Sequence, residues 1–164
     1  MNIWWLATSA KDNYCSYEEL KQRKVLAQGW PEIGDLTSLI KSKPNKDNLK
    51  NTICNFIAQQ YPQKTNCTHC ARSIVNLLMD IKVGDIVAIC EGINVKGFAK
   101  VTKSLEYSYD NNYEYAHQVG IVTEWKNWDS SKVGQAPKIP GQGPKGIEHC
   151  NNDAQKIIDA WSKL

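Results

Sequence analysis

The chain alternates between short apolar runs and longer amphipathic stretches, and the change of period from two to about 3.6 marks its elements. NIWWLAT (2–8) carries Ile3, Trp5 and Ala7 on one side and Trp4, Leu6 and Thr8 on the other, which predicts a strand covered on both faces. Ser16 and Glu19 have the spacing of a capping box, so 17–23 reads as a short helix. KVLAQGW supplies a second strand that stops at Gly29-Trp30-Pro31, and WPEIGDLTSL, with Pro, Gly and an Asp35 that could cap a helical turn, reads as an irregular, solvent-facing connection. Leu49, Ile53, Phe56, Ile57 and Tyr61 recur at helical spacing until Pro62 ends the run, and Ala71, Ile74, Val75 and Leu78 repeat the pattern over about 68–80.

KVGDIVAIC and VKGFAKVTK, joined through EGIN, predict a β-hairpin. Residues 104–114 read as a long polar and aromatic loop, and 117–125 as one last alternating strand. The stretch 134–146 holds four Gly and three Pro, which excludes a helix or a central strand. Beyond it, Ala154, Ile157, Ile158 and Trp161 form the stripe of an amphipathic helix that must dock on the domain or on other chain. The order predicts an α+β fold with a domain at 1–129, a Gly/Pro-rich arm or linker at 130–150 and a C-terminal helix at 151–164.

A length of 164 residues fits one core and leaves no room for a repeat array or a large two-domain enzyme. With 41% hydrophobic and 23% charged residues and a mean hydropathy of −0.50, the composition is that of an ordinary globular protein, with no run long enough to span a bilayer. The opening segment lacks the features of a secretory signal, so a cytoplasmic location is expected, with the six cysteines as reduced thiols. A net charge of +3 permits a nucleic-acid partner without requiring one. Six Trp and seven Tyr against two Phe give nearly every aromatic ring a polar handle, the type suited to half-buried binding surfaces.

No phosphate loop, dinucleotide fingerprint, zincin helix or nucleophile elbow is present, so no cofactor is predicted. Cys67, His69 and Cys70 could offer two or three soft ligands to zinc, but no second knuckle stands at a familiar distance, and buried or exposed thiols are the simpler reading. His117 opens a strand, where it can orient a loop or donate to a phosphate. The aromatic residues support a sharper hypothesis, because a base removed from its stack is held by ring faces and edge hydrogen bonds. Trp30, Trp5 and Tyr14 are the candidate pocket residues, each Trp weighed against a simple core role.

NIWWLAT, VLAQGWPEIGDLTSL, NFIAQQYP, ARSIVNLLMDIKVGDIVAI, GFAKVTK and EYAHQVGIVTEW together resemble the EVE-like and YTH-like modules of the PUA-like superfamily, particularly those at the N-termini of modification-dependent restriction proteins. The resemblance covers about residues 2–128. It implies a small, strongly curved β-barrel surrounded by helices, with an aromatic pocket for a flipped base such as 5-methylcytosine, 5-hydroxymethylcytosine or N6-methyladenine. Trp30 is then a pocket wall with Trp5 and Tyr14 nearby, and Asp35 an acceptor for a base amino group. Arg72, Lys96, Lys100 and Lys103 would contact phosphates, giving salt-dependent affinity without sequence information. One buried methyl group contributes about 1 kcal/mol to discrimination.

The resulting expectation is a non-catalytic reader of modified DNA, whose nuclease or GTPase partner would be a separate domain or subunit, with no membrane partner. An RNA-modification reader on the same fold is the first alternative. A small nucleotide- or thiol-dependent enzyme built on Cys67, His69 and Cys70, and a scaffold docking through its C-terminal helix, are the others.

Overall fold

The computed structural model describes residues 1–8, 15–120, 122–137 and 146–164. The described elements run β1 (Ile3–Thr8), α1 (Tyr17–Arg23), β2 (Val25–Gln28), a 3₁₀ turn (Pro31–Ile33), α2 (Thr37–Lys41), α3 (Lys46–Gln60) and α4 (Cys67–Val75), which continues as a π-helical turn over Asn76–Asp80. There follow β3 (Ile86–Glu91), β4 (Asn94–Lys100), β5 (Glu106–Tyr109), β6 (His117–Gly120), β7 (Glu124–Asn127), α5 (Ser130–Val133), β8 (Ile147–His149) and α6 (Ala154–Lys163).

The fold is α+β, with two sheets. A five-stranded sheet has the order β7-β4-β3-β1-β8, and a three-stranded sheet the order β2-β6-β5. β1 lies parallel to β3 at the centre of the larger sheet, with Trp4 opposite Val87 and Leu6 opposite Ile89, which explains why both faces of the first strand are apolar. No strand pair joins the two sheets among the described residues, so these residues form no closed barrel.

Each face of the larger sheet has its own core. Trp4, Leu6, Val87 and Ile89 pack against Leu20, Leu26 and Val119 on one side, while Ile3, Trp5, Ala88 and Phe98 pack against Ile157 and Trp161 of α6 on the other. A third cluster, with Leu36, Leu49, Ile53, Ile57, Ala71 and Ile74, binds α3 and α4 into one unit. The start of β1 is pinned by Asp85, a buried carboxylate that accepts from the N–H groups of Asn2 and Lys82 and from the Trp4 indole Nε1–H.

Several elements depart from the sequence expectation. Residues 117–125 are two strands: β6 pairs with β2 and β5, whereas β7 leaves for the edge of the larger sheet beside β4. The polar stretch 104–114 contains β5, whose Tyr107 and Tyr109 are half-buried. The C-terminal residues are no appendage to a 1–129 domain. β8 pairs antiparallel with β1, and α6 completes the second core, with Trp161 stacked edge-on against Phe98. Among the described residues no helix is long and apolar enough to cross a membrane.

Truncating the α6 anchor tests this arrangement. Trp161→Ala is expected to lower the unfolding free energy by about 3 kcal/mol in a urea titration. A loss below about 1 kcal/mol would show that α6 contributes little to the core.

Candidate base-binding cleft

β2 runs apolar until Gln28 and Gly29, and the chain then turns at Trp30 with φ 71° and ψ 49°. A Trp in the left-handed region is rare, and the following Pro31 disfavours helical backbone at the residue before it, so the position is strained by about 1–3 kcal/mol. Four side chains hold the turn. His117, fully buried on β6, lies with Nε2 3.1 Å from the Trp30 carbonyl and Nδ1 2.9 Å from the Tyr107 hydroxyl. The carbonyl can only accept, so Nε2 carries the proton and Nδ1 accepts from the Tyr107 O–H. Tyr107 Oη in turn accepts from the Leu36 N–H at 3.2 Å. Tyr109 donates to the Pro31 carbonyl at 2.7 Å, and Tyr61 accepts from the Glu32 N–H at 3.1 Å.

The strained turn presents the Trp30 indole to a cleft of about 870 Å³, within the size range of small-molecule sites at about 300–1,000 Å³. Trp30 and Tyr61 meet at 84° with centroids 5.1 Å apart, forming a corner in which a flat ligand stacked on one ring faces the edge of the other. Lys64 places Nζ 5.3 Å from the Trp30 ring. The opposite wall comes from α4, whose first turn brings His69 and Cys70 to the cleft, with Ser73 one turn further on. Burial pushes the Cys70 thiol pKa up, away from the nucleophilic thiolate.

Two further residues close the inner end. Gln28 lines the cleft while only 4% exposed, and its Nε2 donates to the Ala27 carbonyl at 3.1 Å. Gly146 passes close to it with φ 107°, where a Cβ would lie 2.2 Å from the Ser73 hydroxyl and 3.2 Å from Gln28 Oε1, so any side chain there would collide with the wall.

The structure brings together only part of the site read from sequence. Trp30 is on the cleft, half-buried. Trp5 is not: at 7% exposure it belongs to the core beneath α6, on the opposite parity of β1 from Trp4. Asp35 stands exposed outside the cleft lining, where its Oδ1 accepts from both the Thr37 N–H and hydroxyl. Those two bonds hold its carboxyl below the usual carboxylate range and commit it to starting α2. Tyr14 lies outside the described residues.

His117 is no phosphate contact, since it is sealed inside and bonded at both nitrogens. Arg72 is exposed on α4, the helix that borders the cleft. Lys96 pairs with Glu91, Lys100 reaches over Trp161, and Lys103 follows β4, so these three do not line the cleft. Cys67 donates to the Lys64 carbonyl, and His69 Nε2 lies 3.7 Å from Glu148 Oε1. Among the described residues no group of three His, Cys, Asp or Glu is placed to hold a metal ion.

Sequence reasoning missed Gln28, Tyr61 and Lys64. Gln28 was visible as the one polar residue of VLAQ, and Lys64 as a cation in the short polar connection after Pro62. Tyr61 has the spacing of a core position of α3 and gave no separate signal. Compared with known proteins, the chain matches no family model, no curated protein and no solved structure.

The buried imidazole makes the turn sensitive to acid. Burial lowers the His117 pKa below its ordinary 6.5, so between that value and the lower folded one the unfolded chain binds more protons. Stability is therefore expected to fall as pH drops below about 6.5, because a proton on Nδ1 removes the acceptor for Tyr107. Chemical denaturation of wild type and His117→Gln between pH 5 and 8 checks this. The slope should be present in the former and reduced in the latter, and equal slopes would assign it to other groups.

Proposed function

We propose that the chain is a non-catalytic nucleic-acid-binding module that takes a modified base, flipped from its stack, into the cleft at Trp30. The observation that carries this reading is the Trp30–Tyr61 corner, set by a backbone conformation that costs energy, whose two rings line the cleft while also packing against the α3–α4 core. Strain supported by buried hydrogen bonds at the rim of a cleft fits a preorganised binding wall, and the packing of both rings on the α3–α4 core makes that wall rigid.

A base stacked on the corner would bury its methyl group against the rings. It would also displace Lys64 from the Trp30 face, leaving that ammonium beside the sugar-phosphate backbone at the mouth. Arg72, exposed on the neighbouring helix, is the second cation suited to a phosphate there. The resemblance to EVE-like and YTH-like modules points to the same ligand class, and we read the two sheets, which share no strand pair among the described residues, as the two halves of a barrel of that type. Modified DNA is the favoured substrate, with the reader serving a modification-dependent restriction system.

Binding to short duplexes carrying cytosine, 5-methylcytosine, 5-hydroxymethylcytosine, adenine or N6-methyladenine, followed by fluorescence anisotropy at several salt concentrations, tests the proposal. One modified duplex should be preferred by at least fivefold, and Trp30→Ala should abolish that preference. Lys64→Ala should weaken all duplexes alike and reduce the salt slope by about one. Equal, weak binding that Trp30→Ala leaves unchanged would reject a base pocket, and tighter binding of a methylated RNA than of any duplex would move the assignment to RNA.

A further inference from the structure

Gln28 combines deep burial with an unused acceptor. Its side chain is 96% removed from solvent, yet it borders the cleft, and among the described residues no donor reaches its Oε1. One Nε2 hydrogen is taken by the Ala27 carbonyl at 3.1 Å, which leaves the oxygen and one N–H. Among the described residues Arg23 Nη2 is the fully enclosed side-chain polar atom left without a partner, so Gln28 Oε1 keeps access to the cleft, where a ligand can supply its donor.

The surroundings narrow what that ligand brings. Beside Gln28 the inner end is formed by Ala7, Ser73 and Gly146. The Ser73 hydroxyl accepts from the Ile147 N–H at 3.3 Å, and Gly146 leaves no room for another side chain. Among the described residues, the Gln28 carboxamide presents one acceptor beside one donor to this end of the cleft. An exocyclic amino group next to an unprotonated ring nitrogen matches it one to one, as on adenine or cytosine. Thymine offers an imide N–H beside a carbonyl, a pair that the same carboxamide can also bind, so what distinguishes an amino-bearing base is its response to methylation of the amino group.

We infer that Gln28 is the specificity-determining residue of the cleft: its carboxamide oxygen accepts an N–H from the exocyclic amino group of an adenine- or cytosine-type base, and its remaining N–H donates to the adjacent ring nitrogen. This rests on the base-binding reading above and adds the edge by which the base is read. A singly methylated amino group keeps one N–H and meets the requirement. A doubly methylated one has none and leaves Oε1 buried and unpaired.

The test is fluorescence anisotropy with single-stranded heptamers that differ only in a central adenine, N6-methyladenine, N6,N6-dimethyladenine, cytosine, N4-methylcytosine, N4,N4-dimethylcytosine or thymine. Wild type, Gln28→Met and Trp30→Ala are compared after circular dichroism shows each folded. In the series that wild type prefers, the second methyl group should weaken binding by about five- to hundredfold. Gln28→Met keeps the volume and loses both hydrogen bonds, so it should bind the singly and doubly methylated bases within about twofold of each other.

Equal wild-type affinity for those two bases, or tightest binding of thymine, overturns the inference without any variant. Discrimination that persists in Gln28→Met overturns it too, assigning the effect to crowding by the second methyl group. In each of these cases, loss of binding in Trp30→Ala leaves the cleft reading standing. Absence of binding by wild type to every heptamer and duplex overturns both.

Discussion

The His117 imidazole, bonded at one nitrogen to the Trp30 carbonyl and at the other to the Tyr107 hydroxyl, is the contact on which the candidate site depends. It forces a definite tautomer, and that tautomer fixes the direction of every bond from the Leu36 N–H to the Trp30 carbonyl. The three-stranded sheet carries the side chains of this relay: β2 leads into Trp30, β6 supplies His117, and β5 supplies Tyr107, with Tyr109 beside it. Burial raises the Tyr107 pKa to about 12 and lowers that of His117, so both stay neutral through the physiological range and the relay keeps its polarity.

Magnitudes explain why so many groups converge on one turn. A left-handed Trp before Pro costs about 1–3 kcal/mol, while a typical intramolecular hydrogen bond returns about 1 kcal/mol net. One bond would not secure the conformation. Bonds to the Trp30 and Pro31 carbonyls and to the Glu32 N–H, with the Trp30–Tyr61 ring contact, can offset the strain together. The larger sheet plays a different part: it packs both faces with apolar cores and anchors Gly146 and β8 so that the chain closes the inner end of the cleft.

Local signals in the sequence were sufficient where an element is decided by its own residues. Ser16 caps α1 through the Glu19 N–H as its spacing implied, β3 and β4 pair as a hairpin, and α3 ends next to Pro62. They were insufficient where distant partners decide. Alternation from His117 to Trp125 is continuous in sequence, but β6 and β7 belong to different sheets because one pairs with β2 and the other with β4. The same limit governs the site. Trp30 was legible from its neighbours, Gly29 and Pro31, which mark an irregular turn. Trp5 and Trp4 are indistinguishable in the sequence, and only the docking of α6 shows that Trp5 faces a core. Asp35 carried two readings, a cap for a helical turn from its own segment and a base acceptor from the resemblance, and its bonds to Thr37 match the first.

The proposed role of the cleft is tested most directly by a nitrogen-15 NMR titration of the whole protein with the preferred modified mononucleoside, following side-chain signals. The Trp30 indole and the Gln28 carboxamide should shift together and saturably, while the Trp5 and Trp161 indoles, which belong to the opposite core, stay in place. A titration that leaves Trp30 and Gln28 unmoved, or that perturbs only the region around Lys96, Lys100 and Lys103, would contradict the account.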